Sequence, residues 1–141
     1  MKYDDASWYL EGDEPKYPTD TPEINAYVMP GMYLAWAVQN NLTDNVIHSG
    51  KDTEKLRNRK ITPAEYLEIC DGVLGEEDFT ESGNDFTRSY YHGENGDGQY
   101  TFDYFDTFAV NNDSMFTVPN TWEAYDSIVE ILDKRLLEWQ G

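Results

Sequence analysis

The stretch MPGMYLAWAV, residues 29–38, is apolar on nearly every side when wound at about 3.6 residues per turn. Met32, Leu34, Ala35, Trp36, Ala37 and Val38 leave no polar stripe for solvent, so a helix here has to lie at the centre of a domain. The pattern predicts a helix within residues 25–42, starting near Pro30 or Gly31 and ending at Asn40 and Asn41. The rest of the chain then has to wrap it. With 141 residues, the chain has the length of one domain and can close a core without disulfide or metal. Eleven Tyr, six Phe and four Trp supply large buried areas and set the chain apart from disordered sequences.

The other elements follow from local signals. Residues 14–23, EPKYPTDTPE, read as an irregular loop. The EKLR section at 54–57 suits a short helix. ITPAEYLEICDG, residues 61–72, carries a T-x-x-E capping box from Thr62 to Glu65, with Pro63 at the first helical position. Tyr66, Leu67, Ile69 and Cys70 are its expected inner face. Residues 79–93 predict a helix capped by Thr80, with Phe79, Phe86 and Tyr90 inward. Residues 94–99 are turn-rich. YTFDYFDTFAV, residues 100–110, is ambiguous: Phe102, Phe105 and Phe108 recur at helical spacing, yet the composition suits a strand. SMFTVP, residues 114–119, suits a short strand. NTWEAYDSIVEILDKRLLEW, residues 120–139, has a cap followed by Trp122, Tyr125, Ile128, Val129, Leu132, Leu136 and Trp139 along one face. The expected fold is mainly α. It is a compact single domain over residues 1–141, with one buried central helix, a long C-terminal amphipathic helix and, as its β candidate, a short strand pair.

Charge is unevenly spread. The net charge is −18, and residues 61–133 hold seventeen acids against Arg88 alone. The segment from Gly75 to Asp113 combines ten carboxylates with many rings. Such a surface opposes direct binding to nucleic acid or anionic membranes and suits a cationic protein, with fast, salt-sensitive association. The bland alternative is a solvated surface around an aromatic core. The single cysteine, Cys70, excludes a disulfide framework. The first residues lack the apolar region of a signal peptide, and no run approaches a membrane span. A cytoplasmic, soluble protein is expected, its oligomeric state open.

KYDDASW (2–8), GMYLAWAV (31–38), EKLRNRKITPAEYL (54–67) and LDKRLLEW (132–139) occur in this order. Together they resemble the bacterial family of domains of unknown function DUF7832, with Tyr9 standing where the family has His. The resemblance implies no established activity. Small acidic proteins of this sort are similar to the immunity partners of bacterial polymorphic toxins.

The residues themselves offer little catalytic chemistry. Cys70 beside Ile69 reads as inert packing. His48 and His92 lie in polar, loop-like surroundings, and no nucleophile elbow surrounds a Ser or Cys. ENGDGQYTFD lacks the ligand pattern of a calcium loop, and zinc spacing is missing too, so no cofactor or metal is expected. Asp4 and Asp5 are adjacent, so on a strand they point to opposite faces. Their expected role is in maintaining the fold through caps or backbone hydrogen bonds. The basic island Lys55, Arg57, Arg59 and Lys60 reads as a complement to the acidic half, within the chain or across a dimer.

The reading is therefore a non-enzymatic inhibitor of a basic toxin domain, with a nuclease as the candidate chemistry, bound through an acidic-aromatic face. The residues expected on that face are Glu77, Asp78, Glu81, Asp85, Glu94, Asp97, Asp103 and Asp106, with Tyr91 and Tyr104 as anchors. Tyr91, Tyr100 and Tyr104 are expected exposed, and Phe79, Phe86, Phe102 and Phe105 in the core. A nucleic-acid mimic and a metal-dependent domain are the rival readings.

Overall fold

The computed structural model describes residues 1–13, 16–110 and 115–141. The apolar stretch forms α2, Val28–Gln39, and every residue from Val28 to Val38 is buried. It starts two residues before Pro30. Pro30 therefore sits in the first turn, where its missing N–H would have had no helical partner. At the far end the Asn40 side chain donates to the Trp36 carbonyl (2.9 Å), and Asn41 takes a left-handed φ of 58° that stops the helix.

Two short helices flank one side of α2: α3, Lys51–Arg57, and α4, Pro63–Ile69. The Thr62 hydroxyl accepts from the Glu65 N–H (3.2 Å), and the Glu65 carboxylate accepts from the Thr62 N–H (2.8 Å), the reciprocal box read from the sequence. Tyr66 and Leu67 are buried, but Ile69 is exposed and Cys70 half-buried, so the inner face is narrower than expected. Helix α4 crosses α2 at Gly31. A Cβ there would lie 2.7 Å from the Pro63 carbonyl oxygen, closer than two such atoms can sit. Gly31→Ala is expected to destabilise by about 1–3 kcal/mol through this overpacking, outweighing roughly 1 kcal/mol of better helix propensity. Chemical denaturation reads the net sign directly.

The strand pair lies elsewhere than expected. β1, Lys2–Asp5, pairs antiparallel with β2, Val73–Gly75, matching Lys2 to Gly75, Asp4 to Leu74 and Asp5 to Val73 with an irregularity at Tyr3. Residues 115–117 form a 3₁₀ turn; Ser114, the start of the expected strand, lies outside the described residues, as do positions 14 and 15 of the expected loop and the end of the acidic segment. The Phe116 ring packs on Tyr9 and Tyr17, and its carbonyl accepts from the Asn25 amide (2.7 Å), which takes the bond a partner strand would have made.

The 79–93 segment is helical but changes pitch. α5, Glu81–Thr87, is capped by Thr80 and widens into a π turn over Arg88–His92, burying the neighbours Tyr90 and Tyr91 together. α6, Gln99–Phe108, resolves the ambiguous segment as helix. Its buried stripe is Tyr100, Asp103 and Tyr104, while Phe102 is 55% exposed and Phe105 only partly buried. Tyr91, Tyr100 and Tyr104 are thus core, contrary to expectation. Burial is tolerated because the Tyr100 hydroxyl donates to the Met29 carbonyl (2.6 Å) and Tyr91 to Asp4; the Tyr104 hydroxyl meets no partner among the described residues. Helix α7, Trp122–Gln140, is capped by Thr121 and lays Tyr125, Ile128 and Leu132 onto α2. Arg135 from its last turns reaches back to Asp103 of α6.

Candidate functional site

β1 passes directly into α1, Ala6–Leu10, and Asp5 is the hinge. Its carboxylate caps the helix by accepting from the Ser7 N–H (2.9 Å) and hydroxyl (2.7 Å), and it pairs with Lys2 (2.8 Å). Burial pushes the Asp5 carboxyl up, but the bonds from Lys2 and Ser7 outweigh it and the balance is below the usual range. With Asp5 committed to the cap, Asp4 points the other way, as the strand alternation predicts.

Asp4 is 3% exposed. Oδ1 accepts from the Asp5 N–H (2.9 Å), and Oδ2 accepts from the hydroxyls of Tyr9 (2.9 Å) and Tyr91. Burial holds its carboxyl above the usual range despite these donors, and the nearby Asp5 charge adds to the rise. The same burial, with the Asp4 charge, pushes the Tyr9 and Tyr91 hydroxyls well up. Above this carboxylate opens a cavity of about 250 Å³ lined by rings, among them Trp8, Tyr9, Tyr91 and His92. Trp8 is 52% exposed at its mouth. Gly96 of the loop 93–98 and Thr101 of α6 complete the lining, and in that loop Gly98 lies so close to the Tyr91 carbonyl that no side chain fits.

A second polar cluster lies between α3, α4 and the turn 76–78. His48 is buried, with Nε2 on Asp78 (2.8 Å) and Nδ1 on the Tyr66 hydroxyl (2.7 Å), which also meets Thr53 (2.8 Å). The other Asp78 oxygen accepts from the Gly75 N–H (2.8 Å). Both ring nitrogens are committed, so the cluster joins four segments of the fold. It borders a groove of about 590 Å³ that Cys70 also lines, where burial pushes the thiol up to about 11 and keeps it protonated.

The acidic residues named from the sequence divide between the interior and separate parts of the surface. Asp78 and Asp103 are buried, as are Tyr91 and Tyr104, so these four are packing and network groups and no partner surface includes them. Each was expected outside because charge and hydroxyl favour water, but each meets an internal partner or ring. Glu77 is exposed on the His48 side, and Asp106 is exposed on α6. The remaining four are neighbours. Glu81 and Asp85 are one helical turn apart on α5, Asp85 and Glu94 flank one depression, and Glu94 and Asp97 belong to the same loop as Gly96, the loop residue that lines the Asp4 pocket. Asp85 is tied with Glu76 to Arg88 (3.2 and 3.1 Å), whereas Glu81, Glu94 and Asp97 form no ion pair among the described residues. Of the basic island, Arg59 pairs with Asp126 (2.7 Å) over the Trp122 ring, an intramolecular use.

Residues 2–118 match the family described as Domain of unknown function (DUF7832). The chain belongs to this family. No curated protein and no solved structure matches it. The DUF7832 match takes in every residue lining the Asp4 pocket and the whole His48 cluster, whereas α7 with its LDKRLLEW block lies beyond it. Among the described residues, no helix is long and apolar enough to cross a membrane, and no group of three or more His, Cys, Asp or Glu is placed to hold a metal ion.

Sequence reasoning missed Trp8 and Tyr9 as pocket walls, and missed the His48–Asp78 pair. The KYDDASW block was a signal for the first. Nothing in the sequence joins His48 to a carboxylate thirty residues away.

Proposed function

We propose that this DUF7832 protein is an immunity-type inhibitor, which binds a cationic protein domain of the kind a bacterial toxin such as a nuclease presents, and covers its active site. One observation carries the reading: Glu81, Glu94 and Asp97 are exposed, close along the surface and without ion-pair partners among the described residues. On a chain of net charge −18, unpaired carboxylates repel one another, and a cationic partner removes that repulsion. A domain that handles nucleic acid is basic because it neutralises phosphates, so a protein that covers it is suited by an acidic surface. The cavity on the neighbouring surface, lined by Trp8, Tyr9 and Tyr91, offers aromatic rings of the kind that carry much of the energy at interfaces.

The triple variant Glu81→Lys, Glu94→Lys, Asp97→Lys changes only exposed side chains and should fold normally. It is expected to associate with the basic partner about ten- to a hundredfold more slowly at low salt, with a flatter salt dependence. Tagged wild-type protein in lysate of the encoding organism should retain one basic protein at near-equal stoichiometry, and the triple variant should not. Co-expression with the wild type should relieve that protein's toxicity. Equal retention on both baits, or a retained protein whose toxicity the chain does not relieve, would overturn the reading.

A further inference from the structure

We propose that the cavity above Asp4 is a receptor for a single alkylammonium group, the side chain of a lysine or its N-methylated form. Under the function proposed above, that group is a lysine of the basic partner, but the pocket's chemistry stands without the partner.

The first reason is an uncompensated charge. Asp4 is buried, and no cation among the described residues bonds to it. Lys2, which also lines the cavity, is held by Asp5 (2.8 Å), and the charged group closest in influence to Asp4 is that same Asp5 carboxylate. Buried carboxylates are otherwise paired or hold metals. An anion entering here would face Asp4, and a neutral apolar group would leave the charge uncompensated.

The second reason is the wall. Trp8, Tyr9 and Tyr91 present aromatic surface around the space. Ring faces attract cations, and Trp most strongly. Trp8 is partly exposed, so it is within reach of a group entering from solvent.

The third reason selects among cations. A carboxylate has about four acceptor sites. Three are taken, two on Oδ2 by Tyr9 and Tyr91 and one on Oδ1 by the Asp5 N–H. A bidentate guanidinium needs a free site on each oxygen, and Oδ2 has none. Calcium or magnesium needs several oxygen ligands, usually more than one of them a carboxylate, and Asp4 is the one carboxylate lining the cavity among the described residues, with one open site. An ammonium needs only one hydrogen bond, and its methylated forms fewer; both gain the rest from charge and ring faces.

The test uses the full chain and four small probes: N-acetyl-lysine methylamide, its Nε-trimethyl form, the arginine analogue and the uncharged norleucine analogue. Binding is followed by ¹H–¹⁵N chemical shifts. Both lysine probes should give saturable shifts at the Trp8 indole and along residues 2–9 and 91–98. The arginine probe should bind more weakly, and the norleucine probe should not saturate. Trp8→Ala, at an exposed position, should weaken lysine binding about tenfold with unchanged circular dichroism. Asp4→Asn should abolish it; should that variant not fold, Trp8→Ala decides. No saturable shift, equal shifts with norleucine, tighter arginine binding, or lysine binding unaffected by Trp8→Ala would each overturn the proposal. These outcomes leave the inhibitor reading standing, because that reading rests on Glu81, Glu94 and Asp97, and none of the three lines the pocket. Probe binding would likewise survive a failure to find any toxin.

Discussion

Trp36→Ala is expected to lower stability by about 3–5 kcal/mol, the cost of emptying a large buried aromatic site. The indole is fully buried at the middle of α2. It packs on Tyr33 and Phe86, at ring separations of 5.5 and 5.8 Å, and donates to Asp133 of α7 (2.9 Å). The side chain therefore joins the central helix, α5 and the C-terminal helix at one point. A domain of this size has about 5–15 kcal/mol in total, so the variant is expected to unfold at far lower denaturant, with little change in the slope of the transition. Trp36→Phe keeps most of the ring and frees Asp133, which is exposed and takes water instead, so a loss of about 1–2 kcal/mol is expected. A loss below about 1 kcal/mol for the alanine variant would mean that the core closes over the gap.

Asp103→Ala is expected to cost about 2–3 kcal/mol. Asp103 is 4% exposed and accepts from the Tyr90 hydroxyl (2.7 Å), the Gln99 amide (3.0 Å) and two Arg135 nitrogens (2.9 and 3.0 Å). Breaking a fully buried pair costs roughly 3–5 kcal/mol, and the partial exposure of Arg135 reduces that figure by allowing water to reach the orphaned guanidinium. The loss should depend on pH. Burial pushes the Asp103 carboxyl up, but the bonds from Arg135, Tyr90 and Gln99 outweigh it, so the folded value lies below the ordinary one. A depressed carboxyl contributes stability that is fully present above the ordinary value near pH 4 and is lost as pH falls through the folded value. The gap between wild type and Asp103→Ala should therefore narrow in acid. Asp4 has the opposite sign: its raised value means that its charge costs stability once pH climbs past about 4 toward the folded value. A gap constant from pH 7 to pH 2 would contradict the assignment of Asp103 as an ionised partner of Arg135.

That Asp4 charge is a cost to folding accords with its place at the floor of a pocket, since groups arranged for binding are often not those that stabilise best. The KYDDASW block pointed to this region, but the strand alternation alone could say only that Asp4 and Asp5 part company. Which of them caps α1 and which faces the tyrosines depends on β2, some seventy residues away. The acidic-aromatic segment misled for a related reason. Phe102, Phe105 and Phe108 stand at helical spacing, and so do Tyr100, Asp103 and Tyr104. Spacing cannot choose between two stripes on one helix. The choice went to the stripe in which Tyr100 and Asp103 found partners in α2 and α7, leaving Phe102 in solvent.

What the sequence determined by itself were the features whose physics is local: a helix with no polar side that has to be central, a capping box closed within four residues, and an amphipathic C-terminal helix begun by Thr121. It also determined the net charge and the scarcity of cations to balance it. The tertiary structure decided that Asp4, Asp78 and Asp103 are spent inside, and which other carboxylates stay exposed. That division rests on hydrogen-bond donors brought from distant positions, Tyr91 to Asp4, His48 to Asp78, Arg135 to Asp103, because such donors reduce a burial cost of several kcal/mol per charge.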